Sequence, residues 1–253
     1  MTGDFLALLE KGPVVPVSAV GAGPTALQAT TVFAFHCAEG VLIAGDHRAT
    51  AGNIIFSDRT EKILELDSHS LMAIAGVPAT AFEMARTLQT AFEFYRRSQL
   101  QPMTLPAKLR ALSKLLRDNL PATLQGVGAV APIFAGVESR QPEAKPLIFF
   151  YDPLGAQFEA AAFAGSGSGS GAIKSVLHYL ENWGHPRPVE LPLAEAVVLA
   201  NRLLMTAAEF DSATGGVRPE EQEFATLKLL SRQGARTITR QEQTRFWKDS
   251  RRD

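Results

Sequence analysis

With 253 residues, 46% of them hydrophobic, the chain is long enough to enclose a substantial core in one large domain or two small ones. Its formal net charge of -1 gives no electrostatic reason to expect nucleic acid or an acidic membrane surface as a partner. The single cysteine, Cys37, has no internal disulfide partner, which suits a reducing compartment such as the cytoplasm, and no apolar run approaches the ~18 residues of a membrane span.

Residues 1–29 carry Leu27-Gln28-Ala29, a loose imitation of an export cleavage site. Asp4 and Glu10 leave no basic leading segment, and Pro13, Pro16 and Pro24 break any apolar helix, so export is not the expected fate. Residues 31–37 and 41–44 are β-branched and aromatic runs joined at Glu39-Gly40, which predicts a hairpin. Short strands are predicted over 53–56, 62–66 and 71–75. A long helix follows Pro78, because Phe82, Ala85, Leu88, Phe92 and Tyr95 recur at helical spacing while Glu83, Arg86 and Arg96 take the wet face. A second helix, marked by Leu105, Leu109, Leu112, Leu115 and Leu116, ends near Pro121. Strand character returns over 127–137, 146–151 and 157–163, and helices over 172–180 and 193–208, the latter apolar almost all round and therefore buried. Residues 224–230 and 235–239 close with a hairpin around Arg232-Gln233-Gly234, and a polar tail over 241–253, anchored by Phe246 and Trp247, reads as a docked helix. Blocks of strands separated by pairs of helices predict antiparallel sheets covered by helices, with no internal repeat.

The run Gly165-Ser166-Gly167-Ser168-Gly169-Ser170-Gly171 fits a flexible linker when read alone. A phosphate loop is excluded, since Ile173 stands where that motif requires glycine, and neither a dinucleotide fingerprint nor a nucleophile elbow has its glycines in place. What is left is a tight turn feeding a helix, with amides and hydroxyls crowded near one point. Asp211-Ser212-Ala213-Thr214-Gly215-Gly216 reads singly as capping and turn chemistry, and Asp46 and Lys62 as surface charges. His36, His47, His69, His178 and His185 show no metal-binding spacing, so no metal or cofactor is expected.

Thr30-Thr31-Val32 opens the first strand, Asp46 follows sixteen residues after Thr30, and Lys62 sixteen after that. A threonine hydroxyl is a poor nucleophile unless a base adjoins it, and one compact solution uses the threonine's own α-amino group. That amine exists only if the chain is cut between Ala29 and Thr30. Together with Gly45-Asp46-His47-Arg48-Ala49-Thr50, Glu61-Lys62, Ile74-Ala75-Gly76, Gly167-Ser168-Gly169-Ser170 and the 211–216 segment, these residues resemble the proteolytic β-subunits of the 20S proteasome, N-terminal-nucleophile hydrolases. The motifs occur in the family's order and span most of the chain from Thr30, which overturns the linker reading of the serine run. The nearest alternative is an HslV-like peptidase of an ATP-dependent protease, which usually lacks the 211–216 segment.

The resemblance implies an α+β fold, an αββα four-layer sandwich, with residues 1–29 as a propeptide and 30–253 as a single domain. It implies Thr30 as nucleophile and Lys62 as the charge that eases its deprotonation, acting through charge and not through packing. Asp46 pairs with Lys62, the Gly76 N–H forms the oxyanion hole, and Ser168 and Asp211 position the α-amino group with Thr214 nearby. Thr50 holds the substrate backbone, and the pocket positions Ala49, Thr60, Leu64, Ile74 and Phe82 carry no charge, implying cleavage after apolar residues. Two residues depart from the family pattern: Ala29, where glycine usually precedes the cut, and Pro78, where the substrate-binding strand usually offers an N–H. The implied partners are further copies in stacked rings, polypeptide substrates and an ATPase unfoldase or α-type ring. The competing classes are a non-catalytic ring scaffold and a two-domain binding protein joined at 165–171.

Overall fold

Strand β1 (Thr31–Cys37) is apolar on successive residues, so it needs cover on both faces. The computed structural model, which describes residues 30–51, 54–141 and 143–251, supplies that cover. Phe33 and Phe35 pack toward helices, while Val32 and Ala34 pack toward a second sheet. β1 turns at Glu39-Gly40 into β2 (Gly40–Gly45), the expected hairpin. With β10 (Phe163–Gly167), β11 (Thr226–Ser231) and β12 (Gly234–Thr237) they make an antiparallel sheet in the order β10-β1-β2-β11-β12.

The second sheet is a meander of β5 (Ile63–Asp67), β6 (Ser70–Ala73), β7 (Ile133–Gly136), β8 (Leu147–Tyr151) and β9 (Gln157–Ala160). Between the sheets lie Val32, Ala34, Val41 and Ile43 from one side and Ile63, Leu71, Ile133 and Ile148 from the other. Helices α1 (Pro78–Gln99) and α2 (Leu105–Asp118) close the outer face of the second sheet, with Leu88, Phe92 and Leu112 against Met72 and Phe134. Helices α4 (Ser170–Trp183), α5 (Leu193–Phe210) and α6 (Arg240–Asp249) close the first. The result is the expected αββα sandwich. Among the described residues no helix is long and apolar enough to cross a membrane.

Several boundaries differ from the sequence reading. The strand expected over 157–163 is two strands in different sheets: it breaks after Ala160, and β10 continues through Gly165-Ser166-Gly167. The long strand expected over 127–137 contracts to β7, with an isolated bridge at Val130. The second helix ends at Asp118, close to Pro121 as expected, and Pro121 itself sits in the first turn of a short further helix, α3 (Leu120–Leu124), where its missing N–H is not needed. A separate two-stranded ribbon, β3 (Ala49–Ala51) with β4 (Ile54–Ser57), follows β2 in the chain. Sequence reasoning also missed Lys108, a buried cation on the apolar face of α2, paired with Asp67 at 2.5 Å and lying over the Phe92 ring. Its signal was a charge at helical spacing from Leu105 and Leu112.

Candidate active site

The β1–β2 register brings Asp46 alongside the start of β1. The Asp46 N–H donates to the Thr31 carbonyl at 3.2 Å, and the Thr31 N–H donates back to Asp46 Oδ1 at 3.0 Å. Lys62, immediately before β5, reaches across with Nζ 2.6 Å from Asp46 Oδ1 and 2.5 Å from the Arg48 carbonyl. Both partners are sealed from solvent, at 1% and 0% side-chain exposure. The carboxylate is saturated, because Oδ2 also accepts the N–H groups of Arg48 (3.0 Å) and Gly215 (2.8 Å). Burial pushes the Lys62 ammonium below its ordinary pKa, against the opposing pull of Asp46. Two of its three N–H bonds serve Asp46 and Arg48.

A second group approaches from the other edge of β1. β10 pairs Gly167 with Thr31, and the pairing runs one rung further, with the Ser168 N–H donating to the Thr30 carbonyl at 3.1 Å. Gly167 has φ +94°, and a Cβ there would stand 1.7 Å from that carbonyl oxygen, so the position requires glycine. Ser168 Oγ donates to Asp211 Oδ2 at 2.7 Å, and Thr214 Oγ1 donates to the same oxygen at 2.6 Å. Burial raises the Asp211 carboxyl, but the bonds from Thr214, Ser168 and the Ala213 N–H more than offset it and hold the group below the usual carboxylate range. Thr31 Oγ1 lies 2.6 Å from Thr214 Oγ1 and accepts the Gly169 N–H at 3.0 Å. Thr31 is wholly buried and its hydroxyl is committed to the Asp211 side, whereas Thr30 precedes it by one residue and is itself 4% exposed.

The remaining expected positions lie on β3, on β5 and the segment before it, on the segment after β6 and at the start of α1. Gly76 faces Val130 in an isolated bridge flanked by Val77 N–H to Ala129 O and Ala131 N–H to Ala75 O, both 2.9 Å. In that pattern the Gly76 N–H points away from Val130, toward the edge on which Ile74 N–H meets the Lys62 carbonyl. Its φ of +109° and the 2.2 Å approach of any Cβ to Ala129 O again require glycine. Ile74, Leu64 and Phe82 belong to one apolar cluster, Ala49 is buried in β3 and Thr60 is half-buried. Thr50 pairs with Ile55 of β4, and β3 has no other strand partner among the described residues. Pro78 opens α1. Ala29 and the expected leader lie outside the described residues.

Sequence reasoning missed three contributors: the Arg48 carbonyl, the Thr31 hydroxyl and the Gly215 amide. The last was signalled by the Gly215-Gly216 pair, since a Cβ on Gly215 would press within 3.2 Å of Asp46 Oδ2. Among the described residues no group of side chains is arranged to hold a metal ion. His47 turns away from the site, its Nε2 3.1 Å from the Phe224 carbonyl. The arrangement is a sealed cation–carboxylate pair on one side of residues 30–31 and a serine–aspartate–threonine relay on the other.

Residues 26–218 match a family described as proteasome subunit. A proteasome subunit beta 2 of Thermomonospora curvata is 36% identical over 247 residues, covering 95% of this chain and 85% of the relative. A proteasome subunit beta of Acidimicrobium ferrooxidans is 36% identical over 238 residues, covering 93% and 84%. A third, from Stackebrandtia nassauensis, is 35% identical over 218 residues, covering 85% and 76%. The chain, with its αββα sandwich, belongs to the proteasome subunit family, as a β-type peptidase subunit.

Proposed function

We propose that this chain is a threonine endopeptidase whose mature form begins at Thr30. The observation that carries the reading is the sealed Lys62–Asp46 pair against residues 30–31. A scaffold gains nothing from placing an ammonium there. Free of residues 1–29, Thr30 would present its hydroxyl and its α-amino group, which titrates at about 7.7–8.0 and suits general base work near neutrality. Thr30 Oγ attacks the scissile carbonyl carbon, its proton passes to the amine directly or through water, and the remaining Lys62 N–H stabilises the developing alkoxide. The Gly76 N–H takes the oxyanion, a contribution typically worth about 10²–10³ in rate. The tetrahedral intermediate expels the amine half of the substrate with the transferred proton, and water then hydrolyses the ester on Thr30.

Ser168 and Asp211 hold the α-amino group, supported by Thr214. Substrate lies extended along the free edge of β3, with its backbone on Thr50. Its side chain enters the uncharged surroundings of Ala49, Thr60, Leu64, Ile74 and Phe82, which favours cleavage after apolar residues. We place the site inside stacked rings of this subunit, a cytoplasmic assembly served by an unfoldase or an α-type ring, so that folded proteins are excluded. N-terminal sequencing with intact-mass measurement of active protein tests the assignment. A start at Thr30 is expected. Full activity in protein that starts at Met1 or Thr31 would overturn it.

A further inference from the structure

We propose that Thr31 is a positioning residue of this site, its hydroxyl locking the 167–169 turn and Asp211 to β1. The inference rests on the reading of Thr30 as nucleophile. Its basis is the set of proton directions that the geometry permits. Asp211 Oδ2 accepts from both Ser168 Oγ and Thr214 Oγ1, and an ionised carboxylate only accepts. Thr214 has one hydroxyl proton and gives it to Asp211. The 2.6 Å contact between Thr214 Oγ1 and Thr31 Oγ1 is therefore made with the proton of Thr31. Thr31 Oγ1 accepts in turn from the Gly169 N–H at 3.0 Å. One directed chain results, from Gly169 through Thr31 and Thr214 to Asp211, each donor polarising the next.

The backbone gives this chain its consequence. Two adjacent amides of the turn are gripped by two adjacent residues at the start of β1: Ser168 N–H by the carbonyl of Thr30, which immediately precedes the strand, and Gly169 N–H by the Thr31 hydroxyl. Ser168 is exposed, so little packing fixes it, and these two bonds set its place relative to Thr30. The fit leaves no slack, since a Cβ on Gly169 would come 2.4 Å from Thr214 Oγ1 and 2.7 Å from Thr31 Oγ1. A threonine serving only as core filler would be replaced by valine, of the same shape, without loss. A threonine that positions Ser168 and Asp211 would not.

The test compares Thr31→Val and Thr31→Ser in the assembled, processed protein, with a fluorogenic peptide carrying an apolar residue at the cleaved bond, and Thr30→Ala assayed alongside. Thr31→Val is expected to lower kcat by about tenfold or more, the effect of one lost buried hydrogen bond, with KM within about twofold of wild type. Thr31→Ser is expected to restore most of the rate. Should Thr31→Val not assemble, Thr31→Cys, similar in size with a weak hydrogen-bonding group, carries the same expected loss. Wild-type kcat in the valine variant, or equal losses in the valine and serine variants, overturns the proposal. Activity surviving in Thr30→Ala overturns instead the nucleophile assignment beneath it.

Discussion

Lys62 Nζ and Asp46 Oδ1 stand 2.6 Å apart where solvent reaches neither side chain. Read from sequence, Lys62 acts by charge alone; its burial shows that it is also part of the packed interior. Lys62→Met keeps the buried stem and removes the charge. Asp46 retains three backbone N–H donors, from Thr31, Arg48 and Gly215, so the loss of stability is expected near 2 kcal/mol, below the usual ~3–5 for a broken buried pair. Peptide hydrolysis is expected to fall at least about 100-fold while the fold persists at room temperature. Wild-type turnover in this variant would remove Lys62 from the chemistry.

Pro78 invites the opposite experiment, a gain. Alternate amides along 74–78 share an edge, and Gly76 directs its N–H there, but Pro78 has none to offer. Pro78→Ala is expected to lower KM for extended peptides about two- to tenfold, the contribution of one hydrogen bond, with little change in kcat. Steady-state kinetics on the two assembled proteins decides it, and an unchanged KM shows that substrate does not lie along this edge.

The Asp67–Lys108 pair predicts how stability depends on pH. Burial raises the Asp67 carboxyl, but Lys108, Ser70 and the His69 N–H outweigh it, and the group is held below the usual carboxylate range. A carboxyl with a depressed folded pKa contributes stability at pH above its unfolded value, about 3.9, and loses it as pH falls through the folded one. Asp67→Asn should therefore cost about 2 kcal/mol near neutrality, leaving Lys108 buried beside an amide. The gap from wild type should narrow below pH 4. Denaturant melts across pH read this directly, and a gap that is constant with pH would show that the charge is not responsible.

At the far end of the chain, Thr239 caps α6. Its hydroxyl accepts the Glu242 N–H at 3.2 Å, while Glu242 reaches back to the Thr239 N–H at 2.8 Å. Thr239→Ala is expected to cost about 1 kcal/mol in equilibrium unfolding. No measurable change would mean that Trp247 and Gln243, both buried, dock the helix without help from its cap.

Periodicity located most of the helices and the first hairpin, because their burial is written in residue spacing. It failed at β10, where Gly165-Ser166-Gly167 has no intrinsic preference for a strand and is held in one by pairing with β1, far away in sequence. The site was legible to the same degree. Thr30, Asp46 and Lys62 lie close in sequence and share a regular spacing. Ser168 and Asp211, by contrast, became visible only through the combined family resemblance. Thr31 and the Arg48 carbonyl were not legible at all, since a buried threonine in a strand and a backbone oxygen leave no mark in composition.

The linear order of these parts has a consequence for the newly made chain. Residues 30–62 leave the ribosome early, while Ser168 and the segment 211–215, whose Gly215 amide completes the shell around Asp46, come much later. β10 cannot settle beside β1 until the whole second sheet, which ends at Ala160, has been synthesised, and pairings so distant in sequence form slowly. On the reading proposed above, a nascent chain carries Thr30 long before it owns the groups that would put it to use, and the order of translation itself would act as a delay on self-cutting.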